Sequence, residues 1–454
     1  MNTPILDFVQ GYAASGALRL HMPGHKGFPV LGPEALDITE IRGADVLYHA
    51  AGVIRESEEN AASLFGSART LYSAEGSSLC IRAMLFLALQ YARLTGRKPL
   101  IAAGRNAHRV FLSGCALLGL EIAWLFGDES SPLSCCISPE ALDALLAEEK
   151  PAAVYLTSPD YLGCRAELPA LAAVCRRHGA LLLVDNAHGA YLKFLTPSQH
   201  PLDLGADLCC DSAHKTLPVL TGGAYLHLSR SCPAALLPLA EAAMRLFAST
   251  SPSYLILQSL DLCNRTLAGD FRARLAESAA RLDNLKSSLR AAGWLLIGDE
   301  PMKLTLCPKS RGYTGEALAA ALEERGIVCE FADPDYCVFM FSPANPASDP
   351  DTLANALALL PAREPIDTLP PRLGVPERVL PPREAMLAPF ETLPREQCLG
   401  RVLAAPTVSC PPAVPILVCG ERIDAQALAL FAYYGLDRLD VVLPEWEKEA
   451  LADV

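Results

Sequence analysis

From about residue 68 to 228, short and wholly apolar runs alternate with stretches of helical period, and this rhythm restricts the fold more than any other feature of the chain. "TLYSA" leads into a helical segment over 77–94, "PLIAAG" precedes the helical "HRVFLSGCALLG", and "EIAWLF" follows. "AAVYLTSP" comes before a helix over 168–178, and "ALLLVDNAHG", "ADLCCDS" and "AYLHLS" complete the series. Strands apolar on both faces and separated by helices predict a mostly parallel central sheet covered on both sides, an α/β core of the enzyme type. A length of 454 residues leaves room for more than this core. Residues 254–294 read as one long connecting helix with interleaved Arg, Glu and Asp. Residues 294–360 read as a smaller α/β unit, with strands in "MKLTLCP" and "YCVFMFSP" around a helix over 315–325. Seven prolines within residues 361–384 mark an extended connector before a last module, and no internal repeat is present.

Charge narrows the choice of partner. A formal net charge of −13 and a pI near 5.2 argue against nucleic acid and against anionic membrane surfaces, both of which are bound through basic patches. The N-terminal "MNTPILDFVQ" lacks a basic region followed by an apolar one, and no apolar run approaches the eighteen or so residues of a membrane span, so a cytoplasmic protein is expected. The 16 cysteines are scattered through apolar segments without any C-x-x-C pair, which predicts buried free thiols in a reducing compartment and no structural metal.

Ligands of open α/β sheets bind beyond the carboxyl ends of the strands, and four such places draw attention. Gly76, Ser77 and Ser78 open a helix directly after a strand, where backbone N–H groups, the positive helix end and two hydroxyls could cradle an anion. A plain serine N-cap would look the same. Asp185 closes an apolar run; a carboxylate there calls for a cationic partner such as a protonated pyridine nitrogen, or equally for a salt bridge or cap. Lys215 follows Ser212 and His214 after another strand. Desolvated among these neighbours it would act as an imine-forming amine, in place of a snorkelling surface lysine. His108, after "PLIAAG", could stack its ring on a planar cofactor or be a satisfied core histidine. An anion cradle, a stacking ring, an acid for a ring nitrogen and an imine lysine, each at a strand end, together describe a site for pyridoxal 5′-phosphate, PLP.

The motifs "LHMPGHKG" (20–27), "DITEIRGADVL" (37–47), "EGSS", "RNAHR", "TSPDYLG" (157–163), "DNAHGA" (185–190), "DSAHKTLPVLT" and "STSPSYLILQSLD" (249–261) resemble those of the Orn/Lys/Arg decarboxylase family of PLP enzymes, within the aspartate-aminotransferase superfold. "GRVLAAP" and "PPAVPILVCGE" (411–421) are similar to that family's C-terminal domain. The resemblance implies an N-terminal arm over 1–48, a large PLP-binding domain over 49–270, a small α/β domain over 271–362 and a proline-rich linker with a C-terminal subdomain over 363–454. It resembles the short form, without the wing domain and the ring assembly built on it. It further implies that Lys215 anchors the cofactor and that Ser77, Ser78, Ser212 and His214 line its phosphate. Asp185 would keep the pyridine nitrogen protonated, with Ala187 and His108 on opposite ring faces and His188 beside them. Ser249 and Thr250 would reach the phosphate of the neighbouring subunit of a homodimer, and the loop carrying His25 and Lys26 would pack near the site.

The activity so implied is decarboxylation of L-arginine, L-lysine or L-ornithine to the amine and carbon dioxide, a step of polyamine biosynthesis, with His214 as one candidate proton donor. For the substrate's cationic end the acids Glu75, Asp160, Asp45 and Glu330 are candidates, Glu330 first because "GIVCEFAD" matches the family's small domain. Departures from the family pattern fall at Glu75, at Asn186 where an acid is frequent, at Gly222, and at 410–415, which lacks the usual tyrosine and glycine. The alternatives are another PLP reaction, such as transamination with Arg311 or Arg383 as carboxylate clamp, lyase chemistry, or an idle PLP-binding protein.

Overall fold

The computed structural model describes residues 1–127, 134–361, 363–372, 374–405 and 416–447. The altered C-terminal pattern at 410–415 therefore lies outside the described residues, as do Ala362, Leu373 and Pro406. Seven of the strands are β1 (Arg69–Ser73), β2 (Leu100–Gly104), β3 (Glu121–Leu125), β4 (Ala153–Thr157), β5 (Leu181–Asp185), β6 (Leu208–Asp211) and β7 (Ala224–Leu228). The chain forms two compact units, one of residues 1–99, 146–158 and 167–276, the other of residues 100–145, 159–166 and 277–454.

In the first unit the strands lie in the order β1, β7, β6, β5, β4. β4, β5 and β6 run parallel, with Thr157 opposite Asp185 and Asp185 opposite Cys210. They are buried throughout their apolar runs, apart from partly exposed Thr157, as expected of strands covered on both faces. β7 is the exception to the parallel expectation. It pairs antiparallel with both β6 and β1, because the short connection after Lys215 returns the chain directly and has no room for a crossover. The helices Gly76–Thr95 and Leu168–His178 end on left-handed Gly96 and Gly179, the usual glycine stop.

In the second unit β2 and β3 pair in parallel. A four-stranded antiparallel sheet runs in the order β10 (Phe331–Ala332), β11 (Cys337–Met340), β9 (Lys303–Cys307), β8 (Leu295–Ile297). β8 and β10 are too short to show in the sequence pattern. The helices Gly315–Glu323 and Asp349–Ala358 share with this sheet a core that includes Leu304, Leu306, Leu318 and Leu353. The single connecting helix expected over 254–294 is two, Tyr254–Ala268 and Phe271–Ala291, since Gly269 takes φ −90°, ψ −127° and interrupts the period. Towards the C-terminus β12 (Phe390–Pro394) and β13 (Arg438–Val442) pair antiparallel and pack with the helix Ala425–Tyr433 around Leu417, Phe431 and Val441. The buried Arg105, just after β2, makes a two-pronged bond to Glu421, 2.9 and 2.6 Å.

The cysteines among the described residues are free, and most are buried, as the scattered spacing predicted. None of the described helices is long and apolar enough to cross a membrane.

Candidate active site

β6 ends at Asp211, Ser212 is the N-cap, and Ala213–Thr216 makes a single helical turn carrying His214 and Lys215. The turn is fixed by backbone bonds from His214 N–H to Gly223 O, 3.1 Å, and from Leu217 N–H to Ala213 O, 2.8 Å. His214 Nδ1 also meets Gly223 O at 2.9 Å. Burial pushes the His214 imidazole below its ordinary pKa, the Gly223 carbonyl opposes this, and Lys215 adds to it. Lys215 Nζ lies 3.1 Å from His188 Nε2. One expectation fails here: Lys215 is exposed in this chain, although Ala213 and Thr216 of the same turn are buried. The amine chemistry expected of Lys215 would therefore have to rest on its neighbours and on what it binds, not on desolvation within the single chain.

Asp185 closes β5 and is only 3% exposed. Its carboxylate accepts from Tyr155 Oη at 2.9 Å, from Ala187 N–H at 3.2 Å and from the Cys210 thiol at 3.6 Å. These donors are all neutral. A buried carboxylate held in this way has hydrogen bonds but, among the described residues, no cation, and it fits a protonated ring nitrogen.

The serine corner differs from the ordinary capping reading. Glu75 is the N-cap of the helix Gly76–Thr95 and makes no side-chain cap bond, so Ser77 and Ser78 lie in the first turn. Ser77 Oγ instead accepts from Ser212 Oγ at 2.7 Å, which joins this corner to the lysine turn. Gly76 has φ +71°, and its N–H donates to Gly222 O at 2.7 Å. Gly222 itself has φ +99°, and a Cβ there would stand 3.1 Å from Ala74 O, so the close approach of the two loops needs glycine. Among the described residues no protein acceptor takes the Ser77 and Ser78 N–H groups, which suits a phosphate at the positive helix end.

The structure thus brings Gly76, Ser77, Asp185, Ala187, His188, Ser212, His214 and Lys215 to neighbouring strand ends of one sheet. Ser249 lies against the same corner of its own chain, its N–H on Glu75 Oε1 at 2.8 Å, and Ser249 and Thr250 are both exposed. His25 is occupied within the arm, with Nε2 3.1 Å from Asp37 and Nδ1 accepting from Gly27 N–H, while Lys26 Nζ bonds His21 O. In the second unit His108 caps the helix Arg109–Leu118 and accepts from Val110 N–H at 3.3 Å. Of the four candidate acids, Glu75 holds Ser249, Asp45 accepts five backbone N–H groups around the start of the helix Val53–Phe65, and Asp160 accepts from Ser134 Oγ and Cys164 N–H. Glu330 is exposed and takes a single side-chain bond, from Tyr161 Oη at 2.9 Å. It borders a cavity of about 380 Å³ lined also by Cys329, Phe339, Asp349 and Leu353. Arg311 stacks on Trp294 and bonds Ala292 O, and Arg383 bonds Ala116 O, so both possible carboxylate clamps have structural work.

Sequence reasoning missed Tyr155, whose hydroxyl is the polar tip of a side chain otherwise read as part of the apolar run that opens "AAVYLTSP". It also missed the surroundings of Asp211, where His200 and His227 converge from distant segments. A buried acid directly before the lysine turn was the available signal.

Known proteins resemble this chain over most of its length. The profile described as Orn/Lys/Arg decarboxylase, major domain, matches residues 3–296. The Bacillus subtilis protein YaaO, described as uncharacterized, is 31% identical over 94% of this chain and 93% of its own length. The arginine decarboxylase of Halalkalibacterium halodurans is 28% identical over 98% of this chain and 95% of its own. The solved lysine decarboxylase A of Pseudomonas aeruginosa superposes with a TM-score of 0.78 at 17% identity, covering 97% of this chain and 80% of that one, a likeness of fold.

Proposed function

The chain belongs to the Orn/Lys/Arg decarboxylase family and is a PLP-dependent decarboxylase of a basic amino acid, and on that premise we propose that its substrate is L-arginine, converted to its amine and carbon dioxide. Relatives aligned over at least 94% of this chain bear the name arginine decarboxylase. The observation that carries the reading is the one corner in which Lys215 meets His188 at 3.1 Å and Ser212 meets Ser77 at 2.7 Å, beside the buried Asp185.

Bound PLP supplies an electron sink for the bond broken at Cα. Lys215 would anchor the cofactor covalently through its side-chain amine. Ser77, Ser78 and Ser212, with the open N–H groups of the helix start, hold the phosphate. Asp185 keeps the ring nitrogen protonated, and Tyr155 and the Ala187 N–H keep Asp185 in place. Ala187 and His108 are assigned to the ring faces. A pocket that fixes the substrate's α-carboxylate in place for cleavage would favour decarboxylation over competing bond cleavage. Glu330, oriented by Tyr161, is assigned to the guanidinium, where a charge-assisted pair favours a basic side chain. His214, adjacent to Lys215 in the turn, would be the candidate proton donor. The proposal includes a cytoplasmic homodimer in which Ser249 and Thr250 serve the neighbouring subunit's phosphate.

The test gives the purified protein arginine, lysine, ornithine and a neutral amino acid and scores carbon dioxide and amine. Equimolar amine and carbon dioxide, fastest from arginine, is the expected result. Keto acid in place of carbon dioxide would turn the reading to transamination, and faster turnover of lysine or ornithine would replace the substrate.

A further inference from the structure

One fully buried cluster plays no part in the chemistry above. Asp211, directly before the lysine turn, receives Asn186 Nδ2 at 2.7 Å, His200 Nε2 at 3.0 Å, His227 Nε2 at 3.2 Å and the Cys209 thiol at 3.6 Å. Asp211, His200, His227 and Cys209 are all 0% exposed. Burial alone would push the Asp211 carboxyl up, but the two histidines hold it below the ordinary carboxylate value. His200, Cys209 and Asp211 stand close enough together to suggest a metal site. The hydrogen bonds speak against one. His200 Nδ1 accepts from Leu202 N–H at 3.3 Å, which leaves its proton on Nε2, pointing at Asp211, where a metal would need a lone pair. His227 Nδ1 is engaged by Thr70 Oγ1 at 2.8 Å, and Thr70 by Ser67 at 2.8 Å. The cluster is a clamp on one carboxylate.

What the clamp holds is the turn after Asp185. Asn186 must present its amide nitrogen to Asp211, since a carboxylate has no proton to give. Its other amide atom, Oδ1, is buried without a hydrogen-bond partner, so Asp211 alone orients the side chain through a polar bond. Asn186 N–H bonds Cys210 O at 3.0 Å, and Gly189 N–H returns to Asn186 O at 2.8 Å. A Cβ at Gly189 would fall 2.0 Å from Asn186 Oδ1, so the amide is packed against the turn that carries Ala187 and His188. Residue 211 is bonded to 186 on one side and continues into Ser212 and Lys215 on the other.

We propose that Asp211, gripped by His200 and His227, is a positioning residue that fixes Asp185 and His188 relative to the Lys215 turn. This rests on the assignment of Asp185 and Lys215 made above. It predicts that the clamp governs how tightly PLP is held and how fast bound substrate turns over, and governs substrate binding little.

The test uses the purified holoenzyme and the same protein freed of cofactor by dialysis. In Asp211→Asn an amide nitrogen faces donors that then lack an acceptor. The dissociation constant for PLP should rise, and kcat should fall, by about tenfold or more, with KM for arginine within about threefold. If Asp211→Asn fails to fold, His200→Gln and His200→Leu replace it. The glutamine can offer its amide nitrogen where Nε2 stood and should recover most of the PLP affinity lost in the leucine variant. Unchanged PLP affinity in folded Asp211→Asn, or equal affinities in the two His200 variants, would overturn the proposal. So would stoichiometric zinc in the purified protein that survives dialysis. Lys215→Ala separates this failure from that of the assignment beneath it. If that variant keeps the visible cofactor band, the site itself is misassigned; if it loses the band while Asp211→Asn binds PLP normally, only the clamp is refuted.

Discussion

The strand-end corner of the first unit and the hairpin of the second unit that carries Glu330 present their acids in opposite ways. Asp185 is buried and held by three donors, and behind it Asp211 is buried and held by four. Glu330 is exposed and held through its side chain by one tyrosine hydroxyl. A carboxylate that must keep its charge in a low-dielectric place needs several fixed donors, whereas one that meets a solvated cation can rely on a single guide. On the assignments proposed above, cofactor chemistry would be built into buried strand ends, and substrate choice would rest on an exposed side chain.

That contrast is open to direct attack. Lys215→Ala should remove the visible cofactor band and lower turnover by about 10²- to 10⁴-fold, the scale of a group acting directly in the chemistry; a band of unchanged position and intensity would break the corner's side of the comparison. Glu330→Gln should leave that band alone and lower kcat/KM for arginine by about 10- to 100-fold, the worth of one charge-assisted bond. A loss confined to the band, with substrate preference intact, would reverse the roles of the two regions.

Glu58 sharpens the comparison by showing burial with little compensation. Burial pushes its carboxyl up to about 8, against one bond from Tyr72 N–H at 2.9 Å. Because this folded-state value lies above the ordinary one, the native chain holds the proton longer than the unfolded chain. The stability contributed is complete below about pH 4.5 and is lost as pH rises towards 8, at no more than about 1.4 kcal/mol per pH unit. Glu58→Gln should accordingly flatten the decline in melting temperature between pH 5 and pH 8, and an unaltered slope would show that another group sets it. The smallest effect is expected of Tyr155→Phe, which removes one of the neutral donors of Asp185 and should weaken PLP binding by about fivefold, near 1 kcal/mol, measured by equilibrium dialysis.

The central strands were legible because a strand buried on both faces admits only apolar residues, and the helix over 168–178 for the matching reason that its period is uninterrupted. β8 and β10 were not, since three and two residues carry no periodicity. The break at Gly269 was hidden because the charged pattern on either side stays in helical phase. Within the site, Lys215 and Asp185 could be read because each follows an apolar run at a position that structure alone does not explain. The partners of Asp211 could not, as His200 and His227 reach it from a loop and from β7, and such convergence leaves no mark in spacing. The desolvation expected of Lys215 failed because polar neighbours in sequence do not by themselves cover a side chain.

The two-pronged bond between Arg105 and Glu421 gives the C-terminal module a stake in the loop that bears His108. Arg105 lies three residues before that histidine, and its guanidinium sits beside the rings of Trp124 and Phe126. Removing the module would strand a cation among aromatic side chains, an uncompensated charge costing about 3–5 kcal/mol. A shortened chain would then be expected to lose the shape of that loop along with its tail, so the module is better regarded as a wall of the histidine's housing than as an ornament added to a finished enzyme.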